Sequence, residues 1–285
     1  MLLRNVLQAG LSRLAAAGTS APDLAAELLL MHVLHADRGY LHSHPDQEVS
    51  SEQRSDYFRL IDERLTGKPI QYITGHQEFW GLDFEVTPDV LIPRPETELV
   101  VETVLDLVPS RDASIRIVDV GTGSGCIALA LASELPNADI YAVDISLAAL
   151  MVAMGNAQRL NLRRRIAPVV SDLLARILPV DAGGPFDFVV SNPPYVGINE
   201  LDQVQREVKD FEPRLAWGGL ERADEIYRRL FPEAMQALKP GGRVVVEIGY
   251  TQRDAVLALL GSGWSNVQVR SDLCGIPRVV SARRL

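Results

Sequence analysis

The sequence predicts an α/β fold: a largely parallel sheet with helices on both faces, preceded by a small helical bundle (residues 1–75) and a β-hairpin linker (76–95). Two observations carry the main part, residues 96–285. Apolar runs alternate there with helical segments, and the first run ends in an acid followed by a glycine-rich turn. A third places the bundle, because the first part of the chain carries apolar stripes at helical spacing.

Leu3, Val6, Leu7, Leu11 and Leu14 form the first stripe. Leu24, Leu28, Met31 and Leu34 form a second after the start signal Ser20 to Asp23, and Tyr57, Phe58, Ile61 and Leu65 form a third that ends at Gly67. His32, His35, His42 and His44 invite a metal reading, but no cysteine accompanies them, so no metal is expected. Phe79-Trp80, Phe84-Glu85-Val86 and Val90-Leu91-Ile92, separated by Gly81 and by Thr87-Pro88-Asp89, then read as a hairpin-like connection. Strands are expected near 115–119, 139–144, 167–171, 186–191, 243–248, 266–271 and 278–283, with helices between most of them. In a sheet of this kind ligands gather beyond the carboxyl ends of the strands. Gly121 to Gly125, Asp144, Asp172 and Asn192 all fall on that rim.

Bulk properties narrow the class. A chain of 285 residues with 47% hydrophobic content reads as soluble and globular, and its length suits one large domain or two. A net charge of -9 argues against a protein that holds long duplex nucleic acid through its phosphates. Arg163-Arg164-Arg165 is the only basic run and reads as a solvated helix end or turn. Cys126 and Cys274 are too few for a disulfide framework, and Cys126 reads as a small packed residue. No signal peptide or long apolar span is evident, so the cytoplasm is the expected location, with no membrane contact; the chain is also expected to be a monomer.

Two motifs carry chemistry. Gly121-Thr122-Gly123-Ser124-Gly125 follows the run Ile115 to Val120 and precedes the helix-like Cys126 to Leu131. Glycines let the backbone turn sharply and approach a ligand, and the helix start offers unpaired N–H groups. The spacing is G-x-G-x-G, not the G-x-G-x-x-G of the dinucleotide fingerprint. Asp144, at the end of the next run, suits two ribose hydroxyls, which serves NAD and S-adenosylmethionine equally. The second motif, Asn192-Pro193-Pro194-Tyr195, suits the gripping of a planar –NH2. Its nitrogen shares its lone pair until fixed acceptors hold the two hydrogens. The Asn192 side chain supplies one acceptor and the Pro193 carbonyl, aimed by two proline rings, the other. Tyr195 offers a flat face for an amide or base. A proline-punctuated loop is the plain structural alternative, but hydride-transfer chemistry has no use for such a motif at a later strand end.

Together these residues resemble the class I S-adenosylmethionine-dependent methyltransferases, and more closely the release factor glutamine methyltransferase family. The resemblance rests also on Gly67 to Gly75, Glu78-Phe79-Trp80, Leu91-Ile92-Pro93-Arg94-Pro95-Glu96-Thr97-Glu98, Phe211-Glu212-Pro213-Arg214 and Gly275-Ile276-Pro277-Arg278-Val279. It covers nearly the whole chain. It implies a Rossmann-like seven-stranded sheet, S-adenosyl-L-methionine as cofactor with S-adenosyl-L-homocysteine as product, and the Gly-Gly-Gln glutamine of class I peptide chain release factors as acceptor. Gly121 to Gly125 would approach the methionine part of the cofactor and Asp144 its ribose. Asp172 would accept from the adenine amino group or else cap a helix, and Leu173, where the family often has an aromatic residue, would pack on the ring. Pro194 belongs to the substrate site with Asn192, Pro193 and Tyr195. The stretch Ile92 to Glu98 would cover cofactor and glutamine, although Thr97 and Glu98 equally suit a helix start. The helical bundle would be a docking surface for the protein substrate. Methylation of a ribosomal protein, or of adenine or guanine amino groups, uses the same pair of acceptors and stands as the alternative.

Overall fold

The computed structural model describes residues 1–177 and 184–285. The chain divides into two compact units, residues 1–76 with 205–211, and residues 77–204 with 212–285.

In the first unit, α1 (Leu3–Ala16), α2 (Pro22–Leu34), α3 (Arg38–Ser43), α4 (Ser51–Leu65) and α5 (Ile70–Thr74) surround one apolar cluster. Leu3, Val6 and Leu14 of α1 and Tyr57, Leu60 and Ile61 of α4 are buried in it, with Leu7, Leu11, Phe58 and Leu65 packed around them. The second stripe is displaced from its expected position. Leu24 is exposed, and α2 buries Ala25, Ala26, Leu29 and Leu30 instead. This helix is apolar on nearly every side, so periodicity could not tell one face from another. Nor does Ser20 cap it: α2 starts on Pro22 with Asp23 in the first turn. Ser50, by contrast, caps α4 through a reciprocal pair with Gln53.

Across the boundary at residue 77 runs a hairpin, β1 (His76–Phe79) and β2 (Leu82–Glu85), all but His76 belonging to the second unit. Trp80 and Gly81 both have positive φ, 57° and 70°, the twist a two-residue hairpin turn requires. Val90, Leu91 and Ile92 follow as chain outside any strand, with Val90 and Ile92 buried. Next come α6 (Glu98–Leu107), β3 (Arg116–Val120), α7 (Cys126–Glu134), β4 (Asp139–Asp144), α8 (Leu147–Arg159), β5 (Ile166–Val170), β6 (Phe186–Ser191) and the short β7 (Val196–Gly197). After α9 (Arg206–Phe211), which belongs to the helical unit, the chain forms α10 (Arg214–Trp217), β8 (Gly218–Leu220), α11 (Glu225–Ala237), β9 (Leu238–Glu247), α12 (Arg253–Leu257), β10 (Trp264–Ser271) and β11 (Pro277–Arg284).

Seven strands form one sheet in the order β10-β11-β9-β6-β3-β4-β5. Its strands match the expected runs closely, and β3, β4, β5, β6 and β9 pair in parallel. The reversed strand is β11, antiparallel to both neighbours. The connection from Ser271 to Pro277 is too short for a crossover, and Asp272 closes the turn by accepting from the N–H groups of Cys274 and Ile276. Both sheet faces are covered. Ile117, Ile140, Phe188, Val190 and Val245 face α6 and α7, while Val118, Val120, Val189, Val244 and Val246 face α11. Arg163–Arg165 form a turn before β5, where Arg165 donates to the carbonyls of Leu135 and Ala138.

Gly10 of α1 lies against Tyr57, and a Cβ there would stand 2.0 Å from the Tyr57 hydroxyl and under 3 Å from two ring carbons. Alanine gains about 1 kcal/mol of helix propensity. Overpacking a site costs about 1–3 kcal/mol, and Tyr57, fully buried, has no room to swing. Gly10→Ala should therefore lower the denaturation midpoint; a raised midpoint would contradict this packing.

Candidate active site

The strand order reverses between β3 and β6, whose crossover helices leave on opposite faces. A crevice opens at such a point beyond the carboxyl ends of the strands. There the structure holds a cavity of about 320 Å³ lined by Gly121 to Ser124, Asp144, Asp172, Leu173, Asn192 and Pro194, among others. The Ser191 hydroxyl donates to the Val120 carbonyl (2.6 Å) and ties the two strand ends together.

Fixed backbone acceptors and carboxylates hold the glycine loop open. The N–H groups of Gly121 and Thr122 donate to the Val143 carbonyl, and Gly123 N–H donates to Asp144 Oδ2 (3.0 Å). Asp144 Oδ1 accepts from Ser146 N–H (2.9 Å). Inside the loop, Asp119 Oδ2 accepts from the Thr122 hydroxyl (2.7 Å) and from Ala128 N–H (3.2 Å) at the start of α7. Gly121 and Gly123 have φ of 73° and 55°, and a Cβ at either would meet no atom within 4 Å. The backbone therefore faces open space that side chains would fill. Gly125 turns the chain into α7 but does not line the cavity.

Asp172 is not a helix cap. Residues 173–176 after it form turns and no helix, and its Oδ2 pairs with Arg229 of α11 at 2.7 Å. Leu173 lines the cavity with φ at 48°, a conformation rare for a residue with a side chain and concentrated at functional sites. Asn192 and Pro194 line the cavity, whereas Pro193 is buried and Tyr195 turns its ring onto the core beneath α11. The Tyr195 carbonyl accepts from Gln252, and its hydroxyl stands 3.5 Å from Glu247 Oε1. Arg94 lines the opposite wall, held by Glu212, which also accepts from Ile92 N–H. Thr97 does start a helix region, in a single turn ahead of α6, yet its side chain is buried against the site: its hydroxyl donates to Glu247 Oε2 (2.6 Å) and accepts from Asn192 Nδ2 (3.0 Å).

Glu247 and Arg229 carry no role in the sequence reading. Glu247 had a signal: like Asp119 and Asp144, it is an acid ending an apolar run, Val244-Val245-Val246. Arg229 had none, since nothing in a helical run foretells which basic residue reaches a strand end. Burial pushes the Cys126 thiol up to about 12, consistent with a packed residue and not a nucleophile. Among the described residues no group of three or more His, Cys, Asp or Glu is placed to hold a metal ion. No helix among them is long and apolar enough to cross a membrane.

A seven-stranded sheet with this order, and a glycine-lined cavity at its reversal point, defines a class I methyltransferase fold. A methyltransferase from Pyrococcus furiosus shares the fold at a TM-score of 0.52 and 18% identity, over 71% of this chain and 89% of that one. Residues 5–75 match the PrmC N-terminal domain and residues 96–220 the methyltransferase small domain. The release factor glutamine methyltransferase of Koribacter versatilis is 50% identical over 100% of this chain and 99% of its own length. That of Moorella thermoacetica is 43% identical over 100% and 99%. The chain belongs to the release factor glutamine methyltransferase family.

Two carboxyls of the site are buried with few compensating donors. Burial pushes Asp119 from 3.8 to about 7 and Glu247 from 4.5 to about 7. An acid whose value is raised by folding binds its proton more tightly in the folded chain. These two groups therefore favour the fold most below about pH 4, and that contribution is lost as pH rises towards 7, each tenfold change in proton affinity being worth about 1.4 kcal/mol. Asp119→Asn or Glu247→Gln should flatten the fall in denaturation midpoint between pH 5 and 8; variants with the same pH slope as the parent would contradict the burial of these charges.

Proposed function

We propose that this enzyme methylates the side-chain amide nitrogen of the Gly-Gly-Gln glutamine in class I peptide chain release factors, with S-adenosylmethionine as methyl donor. The observation that carries the proposal is the 50% identity, over the full length of both chains, to a release factor glutamine methyltransferase. The site's chemistry fits the same reading.

Bound in the cavity, S-adenosylmethionine would supply an electrophilic methyl on a sulfonium. Gly121, Thr122, Gly123 and Ser124 line the cradle it would occupy, Gly121 and Gly123 adding no side-chain bulk, and Gly125 turns the chain into the N–H groups at the start of α7. Asp144 accepts from the backbone N–H groups of Gly123, Ser146 and Ile145 and still faces the cavity, where its carboxylate can take the ribose. Leu173 is placed to pack on the adenine ring, and Asp172, steadied by Arg229, to accept from its amino group. Asn192 Oδ1 and the Pro193 carbonyl would hold the two hydrogens of the glutamine amide, with Pro194 lining that site and Tyr195 packed behind it. Placement and fixed dipoles do most of the work, and orientation alone supplies roughly 7 to 11 kcal/mol in well-ordered systems. No general base is needed, because the methylated nitrogen's proton becomes acidic enough to leave to water. The helical unit would dock the release factor. We also infer that the enzyme acts in the cytoplasm as a monomer, without stable nucleic-acid binding.

Mass spectrometry of an unmethylated class I release factor, incubated with enzyme and S-adenosylmethionine, should find the methyl on the Gly-Gly-Gln glutamine. Asn192→Ala should lower turnover on the order of 10²- to 10³-fold. A free peptide carrying Gly-Gly-Gln should need a far higher concentration than intact release factor, or the docking role fails. Transfer to a ribosomal protein or to nucleic acid instead would overturn the acceptor.

A further inference from the structure

We propose that Thr97 and Glu247 are positioning residues that fix which end of the Asn192 amide faces the cavity. The inference rests on the role given to Asn192 above and extends it to two side chains that touch no substrate in that scheme.

Proton counting sets the orientation. Thr97 is 1% exposed and Glu247 2%, so neither can turn to water for a partner. The Thr97 hydroxyl has one proton, and Glu247 Oε2 lies 2.6 Å away. An ionised carboxylate only accepts, so that proton points at Glu247 and the Thr97 oxygen is left to accept. Among the described residues its other hydrogen-bond partner is the Asn192 amide at 3.0 Å, which must therefore present its –NH2 end to Thr97. Oδ1 then faces away from Thr97, towards the acceptor amide. Flipped, the amide would set its own –NH2 against the –NH2 it has to hold, and both would lack an acceptor.

The chain anchors every member of this relay on a different element. Asn192 follows β6, Glu247 ends β9 beside it, and Thr97 sits in the turn ahead of α6. Glu247 is faced by Thr97, Tyr195, Glu96 and Arg278, by Cys126 of α7 and by Tyr227 of α11; Arg278 favours its anion and Glu96 opposes it. With the carboxyl neutral, either group of the Thr97–Glu247 pair can donate and the direction of the relay is no longer fixed. The orienting effect should therefore weaken as pH falls below about 7.

Thr97→Val keeps the shape and deletes the hydroxyl, Thr97→Ser keeps the hydroxyl, and Glu247→Gln removes the obligate acceptor. Thr97→Val and Glu247→Gln should each lower kcat on release factor by about 10- to 100-fold, while calorimetry with S-adenosylmethionine shows near-parental affinity and so an intact fold. Thr97→Ser should recover most of what Thr97→Val loses. The parent should show an acid limb in kcat near pH 7 that Glu247→Gln lacks. In an Asn192→Ala background, Thr97→Val should cost little more, since the amide it orients is gone. Losses that simply add in the double variant, or a Thr97→Val enzyme as fast as the parent while Asn192→Ala is slow, would overturn the relay alone. An Asn192→Ala enzyme at parental speed would overturn the reading beneath it as well.

Discussion

Every part of the site follows from the reversal of strand order between β3 and β6. Five parallel strands deliver their carboxyl ends to one rim, and at the reversal the flanking helices part, so the rim there is not covered by packed helix. The glycine loop, Asp144 and Asn192 come from three different strands, yet no long-range device is needed to assemble them. The ladder pairs Val120 with Ser191 and with Val143, which places the residues after each strand side by side. A slip of one residue in any of these pairs would turn each side chain to the other face and dissolve the site.

Building a site on a buried sheet rim has an electrostatic cost. Asp119 and Glu247 sit among valines with few donors, and burial holds both near 7. Asp119 Oδ1 has no hydrogen-bond partner among the described residues. An apolar pair would stabilise the fold better, so these carboxylates are explained by what they position: Asp119 fastens the glycine loop to α7, and Glu247 orders Thr97 and, through it, Asn192. The site is thus where local stability gives way to a fixed arrangement of acceptors.

Much of this architecture is legible in the sequence. The apolar runs of β3, β6 and β9 became strands because the middle of the sheet is covered on both faces and needs near-continuous apolar sequence, whereas β10 at the edge is half-buried or exposed throughout and gives a weaker signal. Gly121, Asp144 and Asn192 are legible because each follows such a run. Other features are hidden for physical reasons. In α2 leucines on every side erase the phase of the helix, so the stripe points to Leu24 where Ala25 and Leu29 form the core. The association of residues 205–211 with the helical unit depends on buried Arg64 reaching the Lys68 carbonyl and Glu207, a pairing across a long stretch of sequence. Arg229 and Thr97 act on the site from helical surroundings, where periodicity reports burial and not direction.

The proposed chemistry stands or falls on the site holding a planar amide whose nitrogen takes the methyl. NMR decides this, on a release factor labelled with ¹⁵N at glutamine side chains and reacted with S-adenosylmethionine carrying a ¹³C methyl. A one-bond ¹³C–¹⁵N coupling to the Gly-Gly-Gln side-chain amide is the expected result. A transferred methyl with no coupling to that nitrogen would contradict it.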